Sequence, residues 1–385
     1  MKKSTSRLIL YILSFFIALQ TAIPAYINSS FIGQYLSSEK LVGLLYVLGS
    51  IFSIIGLLIT PYLLKKIGNF KTITLATITC TIILFILAFS HNQNLILFSF
   101  ILFLVLGPII YFNLDIFLEQ QSEDKNTGNI RGAYLSAINI AWLFSPLLAG
   151  LLLINESYWK IYLSSAIISL PIILLLIIGT KKFKDPLYHT PSFFKTLKKI
   201  SKTKNIYKIF MIKFLLSFFY AWMVIYTPLY LHNYMNFSWQ TIGIIFTIML
   251  LPFVLLELPL GKLADKLYGE KEILNIGIII LAISTIMLSF LGNTTIWLWA
   301  GILFLTRVGA SAIEISSESY FFKSINAQDA NVISFFRITN PLAYSIAPLT
   351  AFIILSFLDF RYLFLVLGII MLFGLRYGLT LKDTK

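Results

Sequence analysis

Residues 239–266 read WQTIGIIFTIMLLPFVLLELPLGKLADK. Before Lys262 the only ionisable side chain in this stretch is Glu257. An apolar run of about 20 residues is the length that crosses the hydrocarbon core of a bilayer as an α-helix. A membrane β-barrel strand alternates apolar and polar residues over about ten positions; this run is continuous. An open strand in lipid would also leave backbone N–H and C=O groups unpaired, so the run is read as a helix. It stops abruptly at a glycine and three charges, Gly261, Lys262, Asp265 and Lys266.

Working outward, the same pattern recurs along the 385 residues, giving twelve spans near 8–28, 40–63, 71–90, 94–118, 132–154, 158–180, 206–232, 239–262, 271–291, 295–322, 331–357 and 360–380. Composition agrees, with 58% hydrophobic and only 12% charged residues, where soluble domains carry about a quarter. The net charge of +14 does not point to nucleic acid, because the basic residues sit in short loops and form no stripe. One cysteine, Cys80, excludes an internal disulfide framework. His91, His189 and His232 show no metal-ligand spacing, and no cofactor or metal is expected. The basic N-terminus and first run resemble a signal peptide, but no clear small-x-small cleavage site follows, so it is read as an uncleaved first span.

Lys and Arg near span ends set orientation. One set of loops holds Lys2, Lys3, Arg7, Lys65, Lys66, Lys71, Lys125, Arg131, Lys262, Lys266, Lys271, Lys323 and Lys382; the other holds Lys40, Lys160 and Arg361. Both termini are therefore expected in the cytoplasm of a multi-pass protein of the cell membrane. Asn-x-Ser/Thr patterns at Asn28, Asn155, Asn236 and Asn293 fall on the outer side, as chance allows in an Asn-rich chain. The polar stretch 181–205 between spans six and seven reads as a basic cytoplasmic linker able to lie on anionic headgroups. It separates an N-terminal half, 1–180, from a C-terminal half, 206–385.

The halves superpose at a spacing near 200 residues. Leu41-Val42-Gly43 falls on Thr241-Ile242-Gly243, and Ser145-Pro146-Leu147 near Ala347-Pro348-Leu349. Six spans per half make the repeats parallel, related by an axis along the membrane normal. Glu257-Leu258-Pro259-Leu260-Gly261-Lys262-Leu263-Ala264-Asp265-Lys266 resembles the loop signature of the major facilitator superfamily, and Lys271 completes its basic tail. The first-half copy keeps Lys65, Lys66, Gly68 and Lys71, but has Pro61 and Lys65 in place of the glycine and aspartate. The resemblance implies twelve helices in two six-helix repeats around a central cavity, lined by spans one, four, seven and ten. It also implies a secondary transporter in which this loop contacts the other half and holds one conformation shut. The signature has its own physical logic: Gly261 permits close approach, and a carboxylate such as Asp265 suits a helix N-terminus. Its expected partner is the start of span five near Arg131. Charge reciprocity suggests a second pair, Lys65 with Asp329 at the start of span eleven.

Ionisable groups inside spans cost about 2.5–3.5 kcal/mol on insertion scales and are functional candidates by default. Span ten carries Arg307, Ser311, Glu314 and Glu318. At 100° per residue, positions seven and eleven on from Arg307 fall within about 20° of its face. Such a stripe faces water or protein, not lipid. It is read either as an Arg307–Glu314 ion pair that only shapes the bundle, or as Arg307 touching substrate beside a protonatable Glu314; we adopt the second. Asn113 and Asp115 of span four, with Gln20, Tyr26, Tyr220, Trp222 and Tyr226 on spans one and seven, complete the candidates. Asp115 is read as a proton site or as an ion-pair partner of Arg131 or the loop lysines.

No Gly-x-x-x-x-Gly-Lys-Ser/Thr, Gly-x-Ser-x-Gly or His-Glu-x-x-His pattern is present, so neither ATP hydrolysis nor enzymatic catalysis is expected. The expectation is a monomeric transporter of a small solute, working by alternating access and coupled to protons, with the lipid bilayer as its other partner. An uncoupled facilitator and a transport-like sensor are the alternatives. Span four has Leu-Val-Leu-Gly at 104–107; the resemblance would place the antiporter arginine there, which argues against a drug/proton antiporter.

Overall fold

The computed structural model describes residues 3–25, 27–36, 39–122, 126–152, 157–181, 184–188, 195, 197, 198, 200, 203–292, 295–326 and 328–382. Tyr26, Lys125, Asn155, His189, Asn293 and much of the linker lie outside them.

Among the described residues every regular element is helical, including a short helix, Asn28–Gly33, that precedes the second span. In the first half, helices α1 (Lys3–Ala25), α2 (Glu39–Ile67), α3 (Asn69–Phe89), α4 (Gln93–Gln121), α5 (Thr127–Leu152) and α6 (Tyr158–Thr180) follow in order. In the second, they are α7 (Lys204–Asn233), α8 (Trp239–Leu263), α9 (Glu270–Leu288), α10 (Ile296–Lys323), α11 (Ala330–Leu355) and α12 (Tyr362–Leu372), the last continued by a turn over Gly374–Gly378. Among the described residues, ten are long and apolar enough to cross a bilayer. The other two are α5, of 26 residues, and the shorter apolar stretch Tyr362–Gly378.

These helices are apolar on all sides, as a bilayer requires. Ile82, Leu170, Ile178, Leu255 and Ile276 stand exposed along their helix flanks. Polar residues mark the ends: the Asn92 side chain accepts from Leu95 N at the start of α4, and Ser238 accepts from Thr241 N at the start of α8. Gly68 and Gly269, 201 positions apart, both adopt positive φ, 81° and 75°, and each begins the next helix, α3 or α9. A side chain is strained there, so glycine is required. The signature residues Ala264–Tyr268 form a single π-helical turn just before Gly269, a feature frequent at functional sites.

The repeat appears in the packing. Pairs α1–α4, α1–α6, α2–α4, α3–α4 and α3–α6 in the first half recur as α7–α10, α7–α12, α8–α10, α9–α10 and α9–α12 in the second. By contacts the chain forms two units. The first comprises 1–122, 137–196 and 326–341; the second comprises 123–136, 197–325 and 342–385. The first turns of α5 therefore belong with the second unit, and those of α11 with the first.

Candidate functional site

In the second unit a charged cluster sits deep between α7 and α10. Lys213 Nζ lies 2.9 Å from Glu318 Oε1 and 3.3 Å from Glu314 Oε1. The Tyr220 hydroxyl donates to Glu314 Oε2 at 2.7 Å. The Arg307 guanidinium lies over the rings of Phe219 and Tyr220, 5.0 and 5.8 Å from their centroids, within cation–π range. The partners run in opposite order along the two helices, so α7 and α10 are antiparallel here. The buried carboxyl of Glu257, on α8, is in electrostatic reach of the Tyr220 phenol.

The sequence led to Arg307, Glu314 and Glu318 through their helical spacing, and the structure groups them. Lys213 was missed, although it is an ionisable residue in an apolar span and the same rule applies to it. It changes the pairing: Glu314 meets Lys213 and Tyr220, and Arg307 meets aromatic rings. Lys213 is 6% exposed, Arg307 3% and Glu318 0%. The Glu314 side chain keeps 18% exposure, which makes it the carboxylate reachable from outside. Removing one partner of such a buried pair costs about 3–5 kcal/mol, because the other charge is left uncompensated.

Other candidates take local roles. The Ser311 hydroxyl donates to the Val308 carbonyl of its own helix at 3.0 Å. Trp222 is fully buried between the rings of Phe218 and Tyr226, 5.2 and 6.1 Å away, and its indole N–H has no partner among the described residues. The Tyr226 hydroxyl reaches the Pro348 carbonyl at 3.4 Å.

The signature loop, also in the second unit, meets the start of α5. Asp265 accepts from the amides of Gly128 and Asn129 at 3.1 and 2.8 Å and pairs with Lys323 at 3.0 Å. Lys323 also pairs with Glu270 at 2.5 Å. An anion on free N–H groups at a helix N-terminus is favoured by both hydrogen bonding and the helix dipole. Glycine makes the approach possible: a Cβ on Gly132 would lie 2.7 Å from the Glu257 carbonyl oxygen, and one on Gly261 would collide with the Gly128 carbonyl. Arg131 is fully buried, its guanidinium carbon 3.1 Å from the Phe322 ring centroid. Pro259 and Lys266 are exposed.

In the first unit, Asp115 of α4 is fully buried and gripped by Arg337 of α11, through Nε at 2.5 Å and Nη2 at 2.9 Å. The ion pair is thus with Arg337, where the sequence suggested Arg131 or a loop lysine. Arg337 is a second missed cation inside an apolar span. Asn113 donates to Ile109 at 2.7 Å, while its backbone carbonyl accepts from Asn69 Nδ2 at 3.0 Å. Gln20 Nε2 donates to Ser169 Oγ at 2.5 Å, joining α1 to α6. Lys65 is exposed in the last turn of α2. Asp329 is half-buried before α11, its carbonyl accepting from the Val332 and Ile333 amides at 2.8 and 3.2 Å.

Twelve apolar helices in two repeats, with ion pairs buried inside them, define a multi-pass membrane protein of the transporter class. The family model described as Major Facilitator Superfamily matches residues 10–243 and 235–383, and the chain belongs to that family of membrane transporters. A curated relative, "Uncharacterized transporter YybO" of Bacillus subtilis (strain 168), is 30% identical over 132 residues, 34% of this chain. The match spans 29% of that relative's length. Among solved structures, the human organic anion transporter MFSD10 (TETRAN) aligns with a TM-score of 0.76 at 13% identity. That alignment covers 98% of this chain and 100% of the other; at such identity the likeness concerns the fold alone.

Proposed function

We propose that the protein is a secondary transporter that carries a small solute across the cell membrane by alternating access, with proton coupling. The observation that carries this reading is the Lys213–Glu314–Glu318 cluster with Tyr220 and Arg307. Buried charges are expensive in a bilayer and mark substrate or ion pathways. One ammonium serves two carboxylates, and Glu314 retains exposure. Glu314 is therefore the carboxylate that takes up a proton or a solute group, while Glu318 stays with Lys213. Arg307 and the rings of Phe219 and Tyr220 supply a cationic and aromatic wall for the solute.

In this reading the moving bodies are the halves 1–180 and 206–385, joined by the basic linker 181–205. Both termini face the cytoplasm, which the asymmetry of basic loops supports. The working unit is a monomer. The signature contact between Asp265 and the start of α5 holds one conformation closed.

The test is a thermal-shift screen of small solutes against the purified protein, followed by uptake of the responding solute into proteoliposomes. Uptake should fall at least about tenfold in Arg307→Ala and in Glu314→Ala, as for loss of a charge-assisted contact. Uptake that survives both substitutions would remove the site assignment. Binding without any uptake would favour a sensor.

A further inference from the structure

The last turns of α7 and the connection between α11 and α12 meet at the end of the second unit away from the signature loop. Tyr230 and Tyr234 are one helical turn apart on α7, so their rings share a face. They stack at 5.5 Å with 16° between their planes. Phe360, from the connection, packs on both, 5.5 Å from Tyr230 and 4.9 Å from Tyr234. Beside this patch of rings lies a cavity of about 610 Å³, whose lining includes the three rings with Met235, Asp359 and Arg361. That volume falls within the range of small-molecule pockets.

We infer that this cavity is a binding site for an organic cation, an ammonium group carried on an apolar or aromatic body. It is separate from the Lys213 cluster, since Lys213 and Tyr230 stand roughly 25 Å apart along α7. The site goes beyond the solute reading of that cluster and does not depend on it.

The rings supply the first part of the recognition. An aromatic face is the negative pole of the ring quadrupole and attracts a cation within about 6 Å. The floor of the patch is already ordered, because Tyr230 is also held by Trp299 at 5.8 Å and Phe364 at 5.2 Å; a ligand need not order it on binding. Tyr234 is 53% exposed and open to a ligand. Charge supplies the second part. Asp359 is exposed and, among the described residues, forms no ion pair. The Arg361 guanidinium is turned onto its neighbour: its carbon lies 4.8 Å from the Tyr362 ring centroid, and Nη2 donates to the Tyr362 hydroxyl at 3.1 Å. The carboxylate is therefore the charge left for a ligand. Tyrosines near span ends commonly anchor a helix at the headgroups. Tyr230, 4% exposed and enclosed by the rings of Tyr234, Trp299, Phe360 and Phe364, is not placed for that role.

Equilibrium dialysis of the purified full chain against benzyltrimethylammonium, benzyl alcohol and phenylacetate compares one ring body carrying a positive, no or a negative charge. The cation should bind at least about tenfold tighter than the alcohol, and phenylacetate more weakly than either. Tyr234→Leu should weaken the cation about threefold, whereas Tyr234→Phe, which keeps the ring face, should hold it within about twofold of the parent. Asp359→Asn should weaken it about threefold, and the double variant with Tyr234→Leu about tenfold. Both side chains are exposed, so these variants keep the fold. Arg361→Gln, which removes the opposing charge, should tighten the cation. Equal affinity for the three probes, or a preference for phenylacetate, would overturn the cation assignment. Tyr234→Phe as damaging as Tyr234→Leu would overturn the ring contact. Binding lost in Glu314→Gln but unchanged in Tyr234→Leu and Asp359→Asn would place the cation at the Lys213 cluster and overturn this site, leaving the transport reading intact. The absence of saturable benzyltrimethylammonium binding would overturn it outright.

Discussion

Replacing Asp265 by alanine should release the start of α5. The carboxylate accepts from two backbone N–H groups, at 3.1 and 2.8 Å, and its side chain is only 5% exposed. Hydrogen bonds to a charged group contribute about 1.5–3 kcal/mol each. The low end applies, because both share one carboxylate and Lys323 keeps Glu270 as a partner at 2.5 Å. Two bonds then give about 3 kcal/mol, roughly 150-fold in a local opening equilibrium. Hydrogen-exchange mass spectrometry reads this directly, since the amides of Gly128 and Asn129 are the donors. Their protection should drop by about that factor in Asp265→Ala, and by roughly tenfold in Asp265→Asn, which keeps an acceptor without the charge. Unchanged protection in Asp265→Ala would refute the reasoning, because the amides would then have another acceptor.

Gly261→Ala forces a methyl into the Gly128 carbonyl, and Gly132→Ala puts one 2.7 Å from the Glu257 carbonyl oxygen; each should lower thermal stability by about 1–3 kcal/mol. Gly243→Ala, with nothing within 4 Å of the added carbon, should be neutral in the same melt. Lys213→Met leaves Glu314 and Glu318 without their ammonium and should destabilise by about 3–5 kcal/mol, with the double variant Lys213→Met, Glu318→Gln recovering part of the loss. In the linker, burial and the Asp185 carboxylate hold the pKa of Tyr188 well above the ordinary tyrosine range. Because the folded value is the raised one, this stabilisation is complete below the ordinary tyrosine pKa and is lost progressively as pH rises from there toward the folded value. Limited proteolysis of the 184–188 segment, which is tied to Asn69 N through Asp185 at 2.8 Å, should thus be slow below the ordinary tyrosine range and speed up as pH is raised through it, and at neutral pH it should be faster in Asp185→Ala than in the parent.

Much of the fold was legible because lipid permits few solutions. A run without charges must be helical, and its length fixes the span; the boundaries at α8 and α10 fall within a residue or so of the expected ends. The stripe from Arg307 to Glu318 was legible because helical spacing places it on one face. Its partners were not, since pairing depends on which helices pack together. Lys213 and Arg337 each sit alone among apolar neighbours, where no local pattern names a partner. The insertion cost that flagged span ten would have flagged them too, had it been applied to spans seven and eleven. The start of span five was legible as the place for Asp265 through the family resemblance, which helix electrostatics supports, whereas the partner of Asp115 was not. Asp115 and Arg337 stand 222 residues apart in the chain, so nothing local links them.

The central claim is transport coupled through Glu314. Its most direct test is uptake, into proteoliposomes, of the solute that gives the largest thermal shift, with and without an imposed pH gradient. In the parent protein the gradient should change the initial rate. Glu314→Gln should lose that response while still exchanging solute across the membrane. A rate indifferent to the gradient in the parent, or a Glu314→Gln variant that responds as the parent does, would contradict it.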